Sequence, residues 1–316
     1  MTKVAIVTGS SSGNGFETSL LLAKNGFYTY ATMRNIDKST RIKEIAKKDS
    51  LPLEVLQLDV TDDKSVTDAI NVISNRQGRI DVLVNNAGYE HHGAVEELSI
   101  EEIKTQFETN FFGAVRVMKA VLPVMRKQRS GAIVNISSIG GKIGVPLNSA
   151  YVGSKFALEG FSESIKYELE GFGIKVILIE PGAVNTNYLE NSKHAQTATN
   201  SDSPYAEFSK KVSEGVSAAF DMANASIPPQ VAEVILRAIK SEKPDTRYFL
   251  GKDAAAIRER RKNSTDFELE SWIKASMLEQ KGFTSKSSPW SSIAILLSIS
   301  NKFYSKIINV IVRREL

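Results

Sequence analysis

The sequence predicts an α/β fold in which a parallel sheet carries helices on both faces. Three observations predict it. Over about the first 250 of 316 residues, short β-branched runs alternate with longer segments of helical periodicity. The short runs are apolar at consecutive positions rather than at every second one, as in strands covered on both sides. A glycine-rich turn also joins the first strand directly to the first helix.

Lys3–Thr8 opens the chain as a strand that stops at Gly9, and Gly15–Asn25 follows as a helix with Leu20, Leu21 and Ala23 turned inward. Tyr28–Met33, Leu53–Leu58 and Ile80–Asn85 are the next strands. The helix over Asp62–Arg76 repeats Val66, Ala69, Ile70 and Ile73 at helical spacing. Ile100–Arg126 and Ala150–Phe172 read as long helices around a strand at Ala132–Ser137, with Gly171 and Gly173 as stop signals. Lys175–Ile179 and Arg247–Leu250 complete the strands. Asn185–Pro229 breaks the rhythm; a loop of that length in a compact domain is a lid or a binding element. The organisation is therefore an α/β domain over residues 1–252, with a lid at 185–229, and a helical C-terminal extension over 253–316. That extension holds a charged run from Arg258 to Lys262, a Ser-rich linker around Thr284–Pro289 and an apolar stripe from Ile293 to Ile311.

Composition narrows the chemistry. A chain 42% hydrophobic and 24% charged is ordinary for a globular protein, and a net charge of +4 gives no ground for a nucleic-acid partner. The absence of cysteine excludes a disulfide framework and a thiol nucleophile. With only His91, His92 and His194 present, a histidine-rich metal centre is not expected; the three read as exposed polar residues, with the rim of an entrance as the alternative. The first apolar run is too short for a signal sequence, and no stretch of about 18 apolar residues occurs, so a cytoplasmic protein is expected.

The turn after the first strand reads Thr8-Gly9-Ser10-Ser11-Ser12-Gly13-Asn14-Gly15. Glycine allows a sharp turn and close approach to a pyrophosphate, and the helix that follows presents free N–H groups at its positive end. By itself such a cluster is a tight turn; between a strand and a helix it predicts dinucleotide binding. Its spacing is Gly-x-x-x-Gly-x-Gly rather than Gly-x-Gly-x-x-Gly.

That spacing is joined, in order, by Asp59-Val60, Asn85-Asn86-Ala87-Gly88, Asn110, Asn135-Ile136-Ser137-Ser138, Tyr151-x-x-x-Lys155 and Pro181-Gly182. Together they resemble the classical short-chain dehydrogenase/reductases over about residues 3–250, and most closely the hydroxysteroid and retinol dehydrogenase branch. The resemblance implies a doubly wound Rossmann fold with a seven-stranded parallel sheet and a cofactor along the carboxyl ends of its strands. It also implies an oxidoreductase exchanging a hydride between nicotinamide and a carbonyl or alcohol. Asn14 departs from the family, which usually carries Ile there.

Reduction needs a proton for the developing alkoxide, and oxidation needs a base; a phenol with a pKa of about 10 is a poor base at neutral pH. Lys155 lies one helical turn beyond Tyr151 on the same face, and a nearby ammonium favours phenolate. On residues alone the pair also fits a solvated helix face. The resemblance makes Tyr151 the acid/base and Lys155 its tuner and ribose ligand. Ser137 and Ser138 both end a strand where a hydroxyl donor could hold the substrate oxygen; the family spacing selects Ser138. Asn110 resembles the family's helix-kinking Asn that supports a water relay.

For the cofactor, the resemblance assigns Gly9, Ser11, Ser12, Gly13, Asn14 and Gly15 to the pyrophosphate loop and Asp59 and Val60 to the adenine. It assigns Asn86, Ala87 and Gly88 to the middle, and Pro181, Gly182, Val184 and Thr186 to the nicotinamide end, with Tyr151 and Lys155 also in contact. The second strand ends in Arg34 without a carboxylate, which favours NADP(H) through its 2′-phosphate; NAD(H) is the alternative, with Asp37 as ribose reader.

The lid supplies Tyr188, Leu189, Tyr205, Phe208, Phe220 and Met222, apolar surface for a steroid-, retinoid- or acyl-like substrate or for the lid's own packing. Two alternatives stand beside a carbonyl reductase or alcohol dehydrogenase: a 3-oxoacyl-thioester reductase, which a basic entrance patch would mark, and a non-catalytic NADPH-binding protein. The family implies a homodimer or homotetramer through its two long helices. The last stripe, flanked by Lys302, Lys306, Arg313 and Arg314, packs on protein or lies on a membrane surface as a peripheral contact.

Overall fold

A computed structural model of the protein describes residues 2–185, 193–195, 203–219 and 225–279. The strands are β1 (Val4–Val7), β2 (Tyr28–Met33), β3 (Leu53–Gln57), β4 (Val82–Asn85), β5 (His91–His92), β6 (Gly131–Ile136), β7 (Ile174–Pro181), β8 (Lys193–His194) and β9 (Arg247–Leu250). Seven of them form one parallel sheet in the order β3-β2-β1-β4-β6-β7-β9, as expected; β5 and β8 form a separate two-stranded ribbon. Registers such as Ile6↔Tyr30 and Ile6↔Leu83 place β1 at the centre. The chain leaves β1 toward β2 and later returns to its other side at β4. The carboxyl ends of β1 and β4 therefore bound the crevice where this topology binds ligands.

The unbroken apolar runs have their expected cause. β1 and β4 are buried at every position because helices cover both faces. The helices are α1 (Gly13–Lys24), α2 (Thr40–Lys48), α3 (Asp63–Gln77), α4 (Ile100–Phe107), α5 (Gly113–Gln128), α6 (Ser149–Glu170), α7 (Ala206–Ala219), α8 (Pro228–Lys240), α9 (Lys252–Asn263) and α10 (Asp266–Leu278). Val66, Ile70, Val117, Met118, Leu158 and Ile165 of α3, α5 and α6 fill one face against Ile6 and Leu83. Leu22 of α1 and Val231 and Ile235 of α8 fill the other against Val7 and Val84. Each fully buried side chain of this kind contributes about 1.5–3 kcal/mol relative to exposure.

One expectation is refined. Ile100–Arg126 is not one regular helix: α4 and α5 are joined by a five-residue π turn, Glu108–Phe112. In the extension, the described residues form α9 and α10. Thr265 and Glu268 form a reciprocal capping box that starts α10. Ala254, Ile257, Leu269 and Trp272 pack on Ile139 and Ile143, just beyond β6. The charged run is absorbed locally: Arg258 stacks on Phe249, Arg260 on Trp272, and Arg261 pairs with Asp266. The stripe at Ile293–Ile311 lies outside the described residues. No helix among those described is long and apolar enough to cross a membrane.

Candidate active site

The glycine loop is held from beneath by the segment after β4. Thr8 Oγ1 accepts from the N–H groups of Asn86 and Ala87 at 3.0 and 3.1 Å, and Asn86 Nδ2 donates to the carbonyls of Thr8 and Gly9 at 3.0 and 3.1 Å. Gly9 has φ +68°, and a Cβ there would sit 2.8 Å from Ala87 Cα. A Cβ on Gly15 would sit 2.5 Å from the Gly9 carbonyl oxygen. The chain thus threads a gap that only glycine fits, and Asn86, Ala87 and Gly88 stand beside the loop. α1 begins at Gly13, and its N-cap Ser12 makes no side-chain cap. Its first-turn N–H groups and positive dipole end are therefore directed at the mouth of the crevice. Buried Asn14 Oδ1 has no hydrogen-bond partner among the described residues, an open acceptor within the cradle. These features fit a dinucleotide pyrophosphate.

Arg34 follows β2 and is exposed, and the strand ends at Met33. Asp37 lies beyond it in a 3₁₀ turn, where its N–H donates to Asn35 Oδ1 at 2.9 Å, so it does not occupy the strand-end position of a ribose reader. A second cation was not anticipated. Arg41 of α2 lies 4.6 Å over the Phe16 ring and shares with Ser12 and Gly13 a cleft of about 190 Å³. Asp59 is committed to its own turn, its Oδ1 accepting from Thr61 N at 3.0 Å and Thr61 Oγ1 at 2.8 Å. Val60 packs where α5 starts, 2.7 Å from where a Cβ on Gly113 would be.

Asn110 sits in the π turn and is 2% exposed. Its Oδ1 accepts from Tyr89 N at 3.1 Å, and its Nδ2 donates to Tyr89 O at 2.9 Å and Ser154 Oγ at 3.3 Å. The extra residue of a π turn shifts the helix face, and here it ties the segment after Gly88 to α6. At the end of β6, Ser138 Oγ accepts from Gly140 N at 3.0 Å, which leaves its proton free to donate elsewhere. A Cβ on Gly140 would lie 3.1 Å from Tyr151 Cε1 and 3.5 Å from Ser138 Oγ, so the two side chains flank one glycine. Ser137 Oγ, in contrast, is buried behind Gly141 with no hydrogen-bond partner among the described residues.

Tyr151 and Lys155 are each 6% exposed. Lys155 Nζ stands 5.6 Å from the Tyr151 ring centroid and donates to Ile136 O at 2.7 Å. Burial pulls this ammonium down from its ordinary 10.5 to about 8, against the opposing pull of Glu90 and Glu159. Glu159, one turn further along α6, belongs to a buried charge cluster. It pairs with Lys142 at 3.2 Å and Arg247 at 3.0 Å, and Arg247 also meets Glu180 at 2.9 Å and Glu163 at 2.6 Å. Burial and the facing Glu159 push the Glu180 carboxyl up to about 8. The cluster bolts α6 to β7 and β9 directly behind the tyrosine and lysine.

The Pro181–Gly182 turn is pinned by a residue from the extension. Asp253 Oδ2 accepts from Ala183 N at 2.6 Å, and a Cβ on Gly182 would lie 2.0 Å from Asp253 Oδ1. Beyond it, Val184 bridges to Ser226, bringing the two ends of the lid together. Thr186, Tyr188, Leu189, Phe220 and Met222 lie outside the described residues. Tyr205 donates to Glu96 at 2.6 Å and Phe208 is partly exposed. Replacing Asp253 with Ala frees the Pro181–Gly182 turn; kcat/KM is expected to fall about tenfold, with NADPH KM rising, measured by steady-state NADPH absorbance. Unchanged constants would remove Asp253 from the site. His91, expected as an exposed residue, is buried against Glu102 at 3.3 Å, because β5 is clamped between α4 and the lid strand β8.

Residues 3–197 match the family model described as short chain dehydrogenase. Retinol dehydrogenase 8 of Bos taurus is 39% identical over 254 residues, covering 78% of this chain and 80% of that protein. The 17-beta-hydroxysteroid dehydrogenase type 1 of Homo sapiens is 37% identical over 261 residues, covering 78% of this chain and 76% of that protein. Among solved structures, ElxO with NADP bound superposes with a TM-score of 0.67 at 29% identity, covering 79% of this chain and 96% of that one.

Proposed function

Since the chain belongs to the short-chain dehydrogenase family, we propose that it is an NADP(H)-dependent oxidoreductase interconverting a ketone or aldehyde with its alcohol on a lipophilic substrate, steroid-, retinoid- or acyl-like. The observation that carries this reading is that Tyr151 and Ser138 flank Gly140 just beyond the carboxyl end of β6, with Lys155 Nζ 5.6 Å from the Tyr151 ring centroid. Bound nicotinamide supplies or accepts the hydride. Tyr151 gives a proton to the substrate oxygen in reduction and takes one in oxidation. Lys155 lowers the cost of the phenolate by placing an ammonium beside the ring. The proton of Ser138 is turned toward the oxygen on which charge accumulates. Asn110 holds Tyr89 and Ser154 and so fixes the helix that carries the pair.

The cofactor assignment is supported by Arg34, by Arg41 on the cleft at the start of α1, and by the NADP bound to ElxO. The lipophilic substrate is supported by relatives named for retinol and a hydroxysteroid. Phe112, Phe156 and Tyr167 are exposed on or beside α5 and α6, which supports a homodimer or homotetramer through those helices. The test is a panel of lipophilic ketones, aldehydes and alcohols read by NADPH absorbance at 340 nm; no change with any of them would overturn the reading. Arg34→Asp is expected to shift the kcat/KM ratio for NADPH over NADH toward NADH by about tenfold or more, from loss of a charge-assisted phosphate contact. An unchanged ratio would remove Arg34 as the phosphate reader.

A further inference from the structure

A cleft of about 450 Å³ opens on the outer edge of the sheet, away from the cofactor crevice. β9 is the last strand of the sheet, so no described strand pairs with its outer edge. Four strand spacings separate it from β1, where the glycine cradle begins; at about 4.8 Å each, that is roughly 19 Å. A group bound at this edge is therefore not one of the cofactor phosphates.

Three elements bring cations to the cleft. Arg237 stands on the last turn of α8, Lys243 on the loop between α8 and β9, and Arg258 on α9. All three are exposed, and none forms an ion pair among the described residues. The fourth cation of the lining, Arg247, is turned inward to Glu159, Glu163 and Glu180. Asp245 is the one carboxylate of the lining; Glu242, in the same loop, lies outside it. The loop is set in place before any ligand arrives. Lys175 donates to Ser241 O at 2.9 Å, Lys166 to Thr246 Oγ1 at 2.6 Å, and the Asp245 N–H to Tyr248 Oη at 3.1 Å. Two of those anchors are ammonium groups bonded to neutral oxygens, so holding the loop adds positive charge. Arg258 is steadied by stacking over Phe249, 4.6 Å from its centroid.

Guanidinium and ammonium groups gathered without carboxylate partners form charge-assisted hydrogen bonds with phosphate oxygens. A carboxylate can only accept, so Asp245 needs a donor on the same ligand. The volume lies in the range of small-molecule sites. We infer that this cleft binds a small soluble phosphate ester that also carries hydroxyl groups, with Arg237, Lys243 and Arg258 on the phosphate and Asp245 on a hydroxyl. The inference goes beyond the oxidoreductase reading and does not depend on it.

The experiment titrates the full chain by calorimetry at constant ionic strength, saturated with NADPH so that the cofactor crevice is filled. The probes are sorbitol 6-phosphate, inorganic phosphate and sorbitol. Sorbitol 6-phosphate is expected to bind about tenfold more tightly than inorganic phosphate, and sorbitol not at all. Arg237→Gln with Lys243→Gln should weaken both phosphate probes by about 10- to 100-fold. Asp245→Ala should keep inorganic phosphate bound and erase the advantage of the polyol ester. Lys47→Gln with Lys48→Gln removes the same charge from the exposed end of α2 and should change neither. Thermal melts verify that each variant is folded. No binding of either phosphate probe overturns the inference, as does an equal loss in the α2 control (net charge alone) or binding seen only without NADPH (the cofactor crevice). A polyol advantage that survives Asp245→Ala overturns it too, as does capture by phosphatidic acid vesicles without binding of the soluble probes (a membrane surface).

Discussion

Tyr151→Phe is expected to lower kcat by about a thousandfold or more while NADPH affinity and folding stay near wild type. General acid–base catalysis contributes roughly 10²–10⁴-fold, and here the phenol is the proton-bearing group that flanks Ser138 across Gly140. The substitution deletes one oxygen and keeps the ring, which is 6% exposed and packed close to Gly140. A volume-conserving change of this kind costs under about 1.5 kcal/mol. The cofactor cradle is built elsewhere, from Gly9, Gly15 and the Asn86 clamp, and does not depend on that oxygen. Stopped-flow NADPH oxidation and fluorescence titration separate the two effects. Turnover within tenfold of wild type would remove Tyr151 from the chemistry; parallel loss of NADPH binding would mean that the residue is structural.

The parts of this site that could be read from the sequence share one property: each is a local word in a fixed context. Thr8–Gly15 is legible because a strand, a tight turn and a helix start within a few residues of one another; helical spacing puts Tyr151 and Lys155 on one face, and their assignment to a site comes from the resemblance carried by the other motifs. The sheet is legible because burial on both faces leaves continuous apolar runs. What was not legible depends on tertiary contact. Nothing in Glu108–Phe112 spells a π turn; the turn exists because Asn110 is drawn to Tyr89 and Ser154. Asp253 reaches Ala183 only because α9 returns over the end of β7. Arg41 belongs to a helix, Thr40–Lys48, whose single buried stripe of Ile42 and Ala46 is too short to stand out. The burial of His91 follows from a two-residue ribbon, below the length at which periodicity carries information.

Lys155→Met is expected to move activity and stability in opposite directions. Lys155 is buried, and its ammonium sits at about 8 rather than 10.5. The folded state therefore binds this proton less tightly than the unfolded state does. Below about pH 8 the charged form is retained against desolvation at a cost of about 3 kcal/mol. Between pH 8 and 10.5 the folded amine is neutral while the unfolded one is still charged. Over that window this group's contribution to stability rises with pH. Methionine removes the cost but also the hydrogen bond to Ile136 O, whose loss returns about 1–3 kcal/mol. The balance is a gain of roughly 1 kcal/mol at pH 7, or a few degrees in Tm for a chain of this size, and the gain should shrink toward pH 10. Activity should fall by about a hundredfold or more, because Tyr151 loses the cation that favours its phenolate. Thermal melts at pH 7 and pH 10 beside steady-state rates check both halves. A variant that is less stable at both pH values, by the same margin, would show that the buried amine serves packing, whereas one that gains stability as it loses turnover marks a charge kept in the core for its effect on the neighbouring phenol.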